Sequence, residues 1–283
     1  KKTLLRVVCA VVAVVVIAII AAAAWYFIQL SAPNESDTAR VRITMQSGIT
    51  PSQIGTQLKE EGLIRSDLAF GIYTRLEGVQ DKLQAGVYSL SSSESMPQIV
   101  EHLVKGGASE EITVTFLPGA TLTDTTAKDE LKKTDVTTVL RRLGYEEAEI
   151  RAALAKTYDH PLFVTKPASA DLEGYIYGET YQVSAGASVE DILTRTFDEY
   201  YKVLQANNLI EGFSKQGLTL YEGITLASIV QRESGGDDKA QIAQVFYLRL
   251  AQGMQLGSDV TYQYIADKDG MPRDTNYDSP YNT

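Results

Sequence analysis

The hydrophobic positions divide the chain into one long apolar run followed by many short segments. Residues 7–28 carry no charge and read VVCAVVAVVVIAIIAAAAWYFI. A helix rises about 1.5 Å per residue, so about twenty apolar residues cross the hydrocarbon core of a bilayer. This run is therefore long enough to span a membrane as one helix.

Charges and aromatic residues at the two ends of the run predict its orientation. Lys1, Lys2 and Arg6 precede it, and the positive-inside bias keeps such an end in the cytoplasm. Residues 25–27 are aromatic, as at the outer interface of a membrane. We therefore expect residues 1–30 to form a cytoplasmic stub and a single-pass plasma-membrane anchor, with the rest of the chain extracytoplasmic.

A cleaved secretory signal is the alternative to an anchor. The alanines at 22–24 could serve a signal peptidase. A signal core is usually only about 7–15 apolar residues, whereas this run continues past the alanines into aromatic residues. The length of the run therefore favours the anchor.

After the run, the pattern changes to short strands and short helices. Residues 31–40 are small and polar and contain a proline, which is typical of a linker. Residues 41–110 mix alternating segments with amphipathic ones, which predicts a small α+β module. The predicted elements are strands at 41–45 and 86–90 and helices at 51–61 and 96–104.

Residues 111–283 predict a larger domain of mixed α/β structure, so the whole chain is expected to belong to the α+β class. Its middle part is mostly helical and charged, and its later part has longer amphipathic helices. The predicted elements are strands at 112–116 and 175–183 and helices around 135–143, 146–158 and 188–209, with a further helix from 220 that ends at the glycines at 235–236.

Charge and composition exclude several kinds of function. The chain carries net charge −10 and three cations precede residue 31, so the remainder carries −13. This charge argues against nucleic acid as a partner. Cys9 is the only cysteine and lies inside the apolar run, so the exterior part has no disulfide. His102 and His160 are isolated from other ligand residues, so we expect no metal site.

One predicted helix carries a carboxylate on its apolar face. Thr219 and Glu222 have the spacing of a capping box, which predicts a helix from Leu220 onward. At about 100° per residue, Glu233 falls on the same face as the apolar positions of this helix. Those positions are Leu226, Ile229 and Val230.

The position of Glu233 has two interpretations. A carboxylate held among apolar side chains loses hydration, which raises its pKa. A glutamic acid that stays protonated near neutral pH can donate a proton to a leaving oxygen, as the general acid does in glycoside cleavage. Alternatively, Glu233 lies near the helix end, reaches solvent or caps a neighbouring group. Periodicity alone leaves both interpretations open.

An aromatic row precedes this helix. Tyr175, Tyr177 and Tyr181 alternate as the residues of a strand do. Such a row can stack sugar rings, and it can equally pack into a core.

Several blocks along the chain together match the pattern of one known family. They are GVYSL at 86–90, LEGYIYGETY at 172–181, ASIVQRES at 227–234, VFYLRL at 245–250, MQLGSDVTYQY at 254–264 and YDSPYNT at 277–283. With these blocks and its apolar run, the chain resembles the YceG-like family of endolytic murein transglycosylases over essentially its whole length.

The resemblance implies a bitopic enzyme with a LysM-like module close to the membrane and a catalytic domain beyond it. Such an enzyme cuts the β-1,4 bond between MurNAc and GlcNAc in nascent peptidoglycan strands and leaves a 1,6-anhydroMurNAc end. It requires no cofactor. Its implied partners are the glycan strands, the membrane and, by resemblance alone, peptidoglycan synthases such as penicillin-binding proteins.

The catalytic glutamate of the family corresponds to Glu233. Many relatives have another acidic residue two positions earlier, where this chain has Gln231. Glu233 is therefore the only acid of its block. Ordinary glycosidases use two carboxylates, whereas the resemblance implies one that first protonates the glycosidic oxygen. The same carboxylate then takes the proton of the sugar's C6 hydroxyl, which replaces water.

The matching blocks also supply five candidates for contacts with substrate. They are Glu173, Tyr177, Asp259, Tyr281 and Asn282. Some positions depart from the family pattern, so polar contacts that the family makes there cannot be carried over to this chain. These are residues 177–179, Leu248, Gly257 and Val260. The family continues past its Tyr-Asn-Thr block, whereas this chain stops at Thr283, so we expect a C-terminally truncated domain.

Two other functions remain as alternatives. The first is a non-catalytic, membrane-tethered scaffold that binds peptidoglycan. The second is a hydrolase that admits water and produces reducing MurNAc ends.

Overall fold

The structure of the chain, a computed structural model, describes residues 2–37, 39–107, 111–124, 133–274 and 278–282. Side chains are described from residue 11 onward. Predictions that involve the side chain of Cys9, or Tyr277 and Thr283, lie outside the described residues. The chain has mixed α and β structure, with an apolar N-terminal helix and two small sheets.

The apolar run forms a single helix, α1 (Lys2–Leu30). Within the part of the chain that is described, its segment Val11–Leu30 is the one helical stretch long and apolar enough to cross a membrane. Most of the described side chains of this helix are exposed. These features are compatible with a single-pass anchor, and a signal sequence would share them.

The chain divides into two compact units, the first of which comprises residues 1–112 with short segments at 142–144 and 183–186. After α1 it contains a strand, two helices, a strand and a helix. These are β1 (Val41–Met45), α2 (Pro51–Glu60), α3 (Asp67–Leu76), β2 (Gly86–Leu90) and α4 (Met96–Lys105). The two strands pair antiparallel, with Val41 opposite Leu90 and Met45 opposite Gly86. The sequence pattern predicted all of these elements except α3.

Helix starts and one shared core explain why the first unit folds as it does. Capping boxes at Thr50 with Gln53 and at Ser95 with Gln98 begin α2 and α4. The strands and helices each contribute apolar side chains to one shared cluster. Removing these side chains from water stabilises the elements together. The most enclosed members of the cluster include Met45, Ile54, Leu58, Phe70, Tyr88, Leu90 and Ile99.

The segment 31–40, predicted as a linker, is hydrogen-bonded along the surface of this unit. The amide of Asn34 donates to the carbonyl of Ser92 at 3.0 Å. The Ser92 hydroxyl donates to Asp37 at 2.6 Å. The Arg40 guanidinium pairs with Glu94 at 3.1 Å. The connection from α1 is thus held to the module at several points.

The second unit comprises residues 113–141, 145–182 and 187–283. A two-stranded sheet at its edge is formed by β3 (Glu111–Thr115) and β4 (Thr180–Ser184). The described ranges of this unit also contain seven α-helices, two between the strands and five after them. They are α5 (Val136–Arg142), α6 (Glu147–Ala155), α7 (Val189–Ala206), α8 (Leu209–Lys215), α9 (Leu220–Glu233), α10 (Lys239–Ala251) and α11 (Asp259–Lys268).

Three predicted elements of this unit were wrong in extent. The helix predicted at 146–158 ends at Ala155. The strand predicted at 175–183 begins only at Thr180. Before it, Gly174 has φ +80, and a Cβ at Gly178 would lie 2.5 Å from the backbone of Pro118. A turn closed by the bond from the Tyr175 amide to the Leu172 carbonyl therefore precedes the strand, and the irregular residues after it approach the Pro118 backbone closely. The helix predicted at 188–209 ends at Ala206, because Asn208 adopts a left-handed conformation with φ 54.

Candidate functional site

Helix α9 carries Glu233 as its final residue. The predicted capping box is present, because Thr219 and Glu222 bond to each other's backbone amides at its start. Leu226 and Val230 are buried and pack against Phe246 of α10. The apolar stripe predicted from the sequence therefore anchors α9, and Glu233 follows one turn after its last buried residue.

Glu233 itself is exposed, so of the two interpretations of its position, the one in which its side chain reaches solvent applies and the one in which apolar neighbours enclose it does not. The helix ends at Glu233, and the chain then turns through two glycines before α10 begins at Lys239. The neighbouring helix covers Val230 but does not enclose the position one turn later. An amphipathic pattern gives the direction of a side chain, whereas burial also requires a neighbouring element to pack against it.

A buried serine holds the carboxylate of Glu233. The hydroxyl of Ser258 donates to Glu233 Oε1 at 2.5 Å. Ser258 is only 2% exposed, whereas its partner faces solvent. Among the described residues this is the one hydrogen bond that Glu233 receives from the protein. One carboxylate oxygen is therefore oriented, and the other is left open.

Ser258 is also the residue that begins α11, but it does not cap that helix. An N-cap serine normally accepts a hydrogen bond from the helix backbone, which contributes about 1 kcal/mol. In α11 no such side-chain bond forms, because the hydroxyl is directed at Glu233. The N-terminal end of a helix carries partial positive charge, which favours a nearby carboxylate.

The loop before Ser258 is held in position by an arginine. The guanidinium of Arg249, on α10, donates to the carbonyl of Leu256 and lies 3.5 Å from that of Gly257. Gly257 has φ +62, and a Cβ there would lie 2.7 Å from Nη1 of Arg249. Glycine suits this conformation. The departure from the family pattern at position 257 therefore has a local structural explanation.

Asp259 follows Ser258 in the first turn of α11 and is exposed. Asp259 is therefore the chain neighbour of Ser258, which bonds to Glu233. An acidic residue in the first turn also complements the helix dipole, which is a structural role that needs no substrate.

A second acidic residue, Glu173, lies in the segment before β4 and contacts the middle of α11. Its carboxylate accepts the amide of Leu122 at 3.1 Å and hydrogen-bonds to Tyr264. Burial is the main cause that raises the pKa of Glu173 to about 6, and the nearby charge of Asp171 adds to it. The hydrogen bonds from Leu122 and Tyr264 oppose this shift only partly. Glu173 therefore joins the backbone at Leu122 to Tyr264 in the middle of α11.

An ion pair lies next to Glu173. Lys268 Nζ donates to Asp171 at 2.9 Å and lies 3.4 Å from the hydroxyl of Tyr264. Burial opposes the ionisation of Asp171, but the hydrogen bond from Lys268 holds its pKa below the usual value. Burial and the charge of Glu173 raise the pKa of Tyr264 to about 12. Both Asp171 and Lys268 remain largely exposed.

The remaining predicted site residues lie at different places. Tyr281 is 46% exposed, and its ring lies 6.1 Å from that of Tyr264. Asn282 is exposed next to it. Tyr177 packs its ring 5.2 Å from that of Tyr200, and no described contact joins it to Glu233. The site residues therefore gather along α11, with Tyr177 apart from them.

The aromatic row at 175–181 contributes mainly to packing. Tyr175 is buried with its ring 5.0 Å from Phe163, and Tyr181 is buried against Phe116 at 6.3 Å. Tyr177 is only partly buried. Of the two interpretations of this row, core packing applies to Tyr175 and Tyr181.

A groove of about 370 Å³ lies beside α9, but Glu233 is not among the residues that line it. Its walls are mostly apolar and include Leu226, Val230, Ala243 and Tyr247. Across the described residues, no three His, Cys, Asp or Glu side chains are grouped so as to hold a metal ion. The Glu233 carboxylate, with one oxygen bonded to Ser258, lies outside this groove.

Sequence reasoning did not single out three residues that organise this region. These are Ser258, Tyr264 and Lys268, each of which contacts an acidic residue. The Ser-Asp pair at 258–259 is a signal for a helix start, but nothing in it indicates that the hydroxyl reaches across to another helix.

Comparisons with known proteins find relatives that match most of this chain. The family model described as the YceG-like family matches residues 43–283. An endolytic murein transglycosylase of Bacillus subtilis strain 168 is 30% identical over 280 residues, covering 91% of this chain and 73% of that protein. A protein of the same name from Streptococcus pneumoniae strain D39 is 28% identical over 290 residues, covering 91% of this chain.

The chain spans only 50% of the length of that streptococcal relative. Among solved structures, a YceG-like protein of Listeria monocytogenes is similar, with a TM-score of 0.47 and 24% sequence identity. The similarity covers 87% of this chain and 83% of the Listeria chain.

Proposed function

The chain belongs to the YceG-like family, and from this premise we propose that it is a membrane-anchored endolytic murein transglycosylase with Glu233 as its acid–base residue. The relatives that carry this enzyme name cover nearly all of the chain. The observation that supports the role of Glu233 most directly is its geometry. One oxygen is oriented by the buried Ser258 at 2.5 Å, and the other faces solvent.

In the first step, protonated Glu233 gives its proton to the glycosidic oxygen between MurNAc and GlcNAc. The bond from the MurNAc anomeric carbon to that oxygen breaks, and GlcNAc leaves with a hydroxyl group. A glycan strand that covers the exposed carboxyl would exclude water from it, as closure of an active site does.

In the second step, Glu233 acts as a base. The C6 hydroxyl of the same MurNAc attacks the anomeric carbon, and its proton passes to the Glu233 carboxylate. The products are a 1,6-anhydroMurNAc end and a regenerated, protonated Glu233. Because the attacking hydroxyl belongs to the substrate, a second carboxylate to activate water is not needed, in contrast to ordinary glycosidases. Ser258 would stabilise the carboxylate between the two steps.

The other candidate residues divide by exposure. Asp259, Tyr281 and Asn282 are exposed, and we propose that they contact the glycan strand. Glu173 is only partly exposed, and its carboxylate already bonds to Leu122. We therefore propose that it orders the region around α11 and does not bind sugar. Tyr177 remains a candidate for a contact away from the bond that is cut.

The first unit supports the placement of this activity at the membrane. We propose that α1 is a single-pass anchor with its N-terminus in the cytoplasm. We also propose that residues 41–110, which contain β1, α2, α3, β2 and α4, are the LysM-like module that the family resemblance implies. The substrate is the glycan strand, and penicillin-binding proteins are the proposed protein partners.

The decisive experiment incubates uncrosslinked glycan strands with the full chain and analyses the products by mass spectrometry. The native protein should release fragments with 1,6-anhydroMurNAc ends. Glu233→Gln should lower the rate by about 10²–10⁴-fold, the usual contribution of a general acid or base. Glu211→Gln is the matched control, since it removes an exposed glutamate of α8 that pairs only with Lys215. It should retain activity.

Each contrary result has a distinct meaning. Reducing MurNAc ends would identify a hydrolase. Activity that survives in Glu233→Gln would assign the proton transfer to another residue. Glycan binding without any product from the native protein would favour the non-catalytic scaffold.

A further inference from the structure

Helix α3 presents apolar residues on both of its faces. Its inner face buries Ala69, Phe70 and Thr74 in the core of the first unit. Its outer face carries Leu68, Ile72 and Leu76, which are 62%, 37% and 71% exposed. These three residues, the α3 stripe, recur every fourth position and therefore lie along one side of the helix. A helix that is apolar on all sides is normally covered on all sides.

The C-terminal part of α1 is packed against the same unit. Tyr26 and Leu30 pack against the core that α3 helps to form, and α1 contacts both α3 and α4. Burial, followed by Glu77 and then Tyr26, raises the pKa of Tyr73. Tyr26 therefore lies beside the last turn of α3. Because Tyr26 belongs to the Val11–Leu30 stretch, this end of α3 lies at the level of the outer end of that stretch.

A second connection holds the start of α3 near the end of α1. The guanidinium of Arg65 donates to the carbonyls of Ala32 and Pro33 at 2.8 and 3.1 Å. Arg65 immediately precedes Ser66, the N-cap of α3. Both ends of α3 are thus attached to the chain where it leaves the apolar stretch, and α3 cannot move far from the outer end of α1.

We propose that the α3 stripe lies in the interfacial layer of the lipid bilayer, beside the outer end of α1. This proposal rests on the proposed role of α1 as an anchor. Leucine and isoleucine side chains that enter the boundary between headgroups and acyl chains gain the free energy of apolar burial. Arg75 is exposed on the same side of α3 and has no ion pair among the described residues. Its guanidinium is therefore available to a lipid phosphate.

Apolar insertion, not charge, would be the main attraction. The chain beyond α1 carries net charge −13, which repels an anionic membrane surface. Docking of α3 would orient the first unit on the membrane. It would also restrict the reach of the domain that follows to glycan strands close to the bilayer.

The test measures the depth of tryptophan side chains in the full chain, reconstituted in phosphatidylcholine–phosphatidylglycerol vesicles with brominated acyl chains. Trp25 is the only tryptophan and reports on α1 in the native protein. The double variant Trp25→Phe/Ile72→Trp reports on the α3 stripe, and Trp25→Phe/Leu76→Trp provides a second position. Trp25→Phe/Ser52→Trp is the matched control on the exposed side of α2.

We expect bromine quenching and a blue shift of emission for Ile72→Trp and Leu76→Trp, similar to those of Trp25, and neither effect for Ser52→Trp. Quenching of Trp25 without quenching at either α3 position would overturn the proposal and leave the anchor intact. No quenching of Trp25 would overturn the anchor itself. A blue shift without quenching would show that a protein surface, such as a second copy of the chain, covers the stripe. Circular dichroism of each variant verifies that the module is folded.

Discussion

The two ends of α11 hold their acidic partners in opposite ways. At the N-terminal end, the donor Ser258 is buried and the carboxylate of Glu233 is exposed. Farther along, Tyr264 bonds to Glu173 and Lys268 pairs with Asp171. Of these two acids, Glu173 is the less exposed. One helix therefore orients one carboxylate toward solvent and encloses another within the fold.

This difference shows how position decides the chemistry of a carboxyl group. A group that exchanges protons with a substrate must be reachable, and a buried donor can orient it without covering it. A group that connects two segments is most useful when it is enclosed, but burial disfavours its charged form. Four predictions test this contrast, from the largest expected effect to the smallest.

Ser258→Ala should lower kcat by about 10- to 100-fold, because a hydrogen bond to a charged group contributes about 1.5–3 kcal/mol. KM should change little, since Ser258 is buried and does not reach the substrate. The measurement is the rate of anhydro-end release. Ser258→Thr retains a hydroxyl and should recover most of the activity.

The same variant separates an orienting role from a capping role. Because Ser258 makes no side-chain cap in α11, any stability lost in Ser258→Ala comes from its bond to Glu233. In a chain that already carries Glu233→Ala, Ser258→Ala should therefore cost much less than the roughly 1 kcal/mol typical of a lost N-cap. If Ser258→Ala lowered the free energy of unfolding, measured in denaturant, by about 1 kcal/mol even without Glu233, and left kcat unchanged, Ser258 would act as a helix cap and not as the residue that orients Glu233.

Glu173→Gln should make stability less dependent on pH. The pKa of Glu173 in the folded chain is about 6, above its ordinary value of 4.5. Its stabilising contribution is therefore complete below pH 4.5 and is lost as the pH rises through 6. From pH 4.5 to 7.5 the variant should gain about 2 kcal/mol relative to the native chain, since one pKa unit corresponds to 1.36 kcal/mol.

Denaturant unfolding of the full chain in detergent at several pH values provides this measurement. Glu211→Gln is again the control, because its exposed carboxyl pairs only at the surface of α8. An equal pH dependence for the native chain and Glu173→Gln would show that Glu173 is not enclosed in solution.

Gly257→Ala should destabilise the chain by about 1–2 kcal/mol, because a left-handed backbone conformation costs a residue with a Cβ this amount. The new methyl group would also displace Arg249, which lies 2.7 Å from the position of that Cβ. Because the loop presents Ser258, kcat should fall as well. Gly253→Ala is the matched control, with φ +63 but no neighbour within 4 Å, and it should lose stability without losing activity.

Lys268→Met should have the smallest effect, below about 1 kcal/mol, because exposed ion pairs contribute little. The Lys268 and Asp171 side chains are each about half exposed. The pKa of Asp171 should return toward its ordinary value, which NMR titration can follow. Lys215→Met breaks a comparable pair with Glu211 and is the reference. A loss several times larger than that of Lys215→Met would mean that Lys268 also holds Glu173 in place through Tyr264.

Much of this fold could be predicted from local patterns. The apolar run, the strands at 41–45 and 86–90 and the helix with the Thr219–Glu222 capping box all follow from signals within a few residues. Helix α3 was missed because its apolar residues lie on both faces, so it lacks the one-sided periodicity that identifies a surface helix. The strand predicted at 175–183 was too long, because alternating tyrosines gave no sign of the turn at Gly174.

The candidate site could be predicted only in part. Glu233 was singled out from its position and from the family resemblance; it is the last residue of α9, and its catalytic role stays a prediction. Periodicity left open whether its carboxyl is enclosed or reaches solvent, and it did not identify Ser258. The two residues are 25 positions apart in the chain, and no local pattern predicts which serine will meet which glutamate.

By itself, the sequence determined the apolar helix, the negative charge of the rest of the chain and the helix that carries Glu233. Each of these depends on composition or on short-range periodicity, which act before the chain is compact. Only the tertiary structure decided that Glu233 faces solvent, that Ser258 gives up its capping bond to hold it, and that Glu173 is enclosed. These outcomes depend on which distant segments pack together, because burial and hydrogen bonding between elements are properties of the assembled fold.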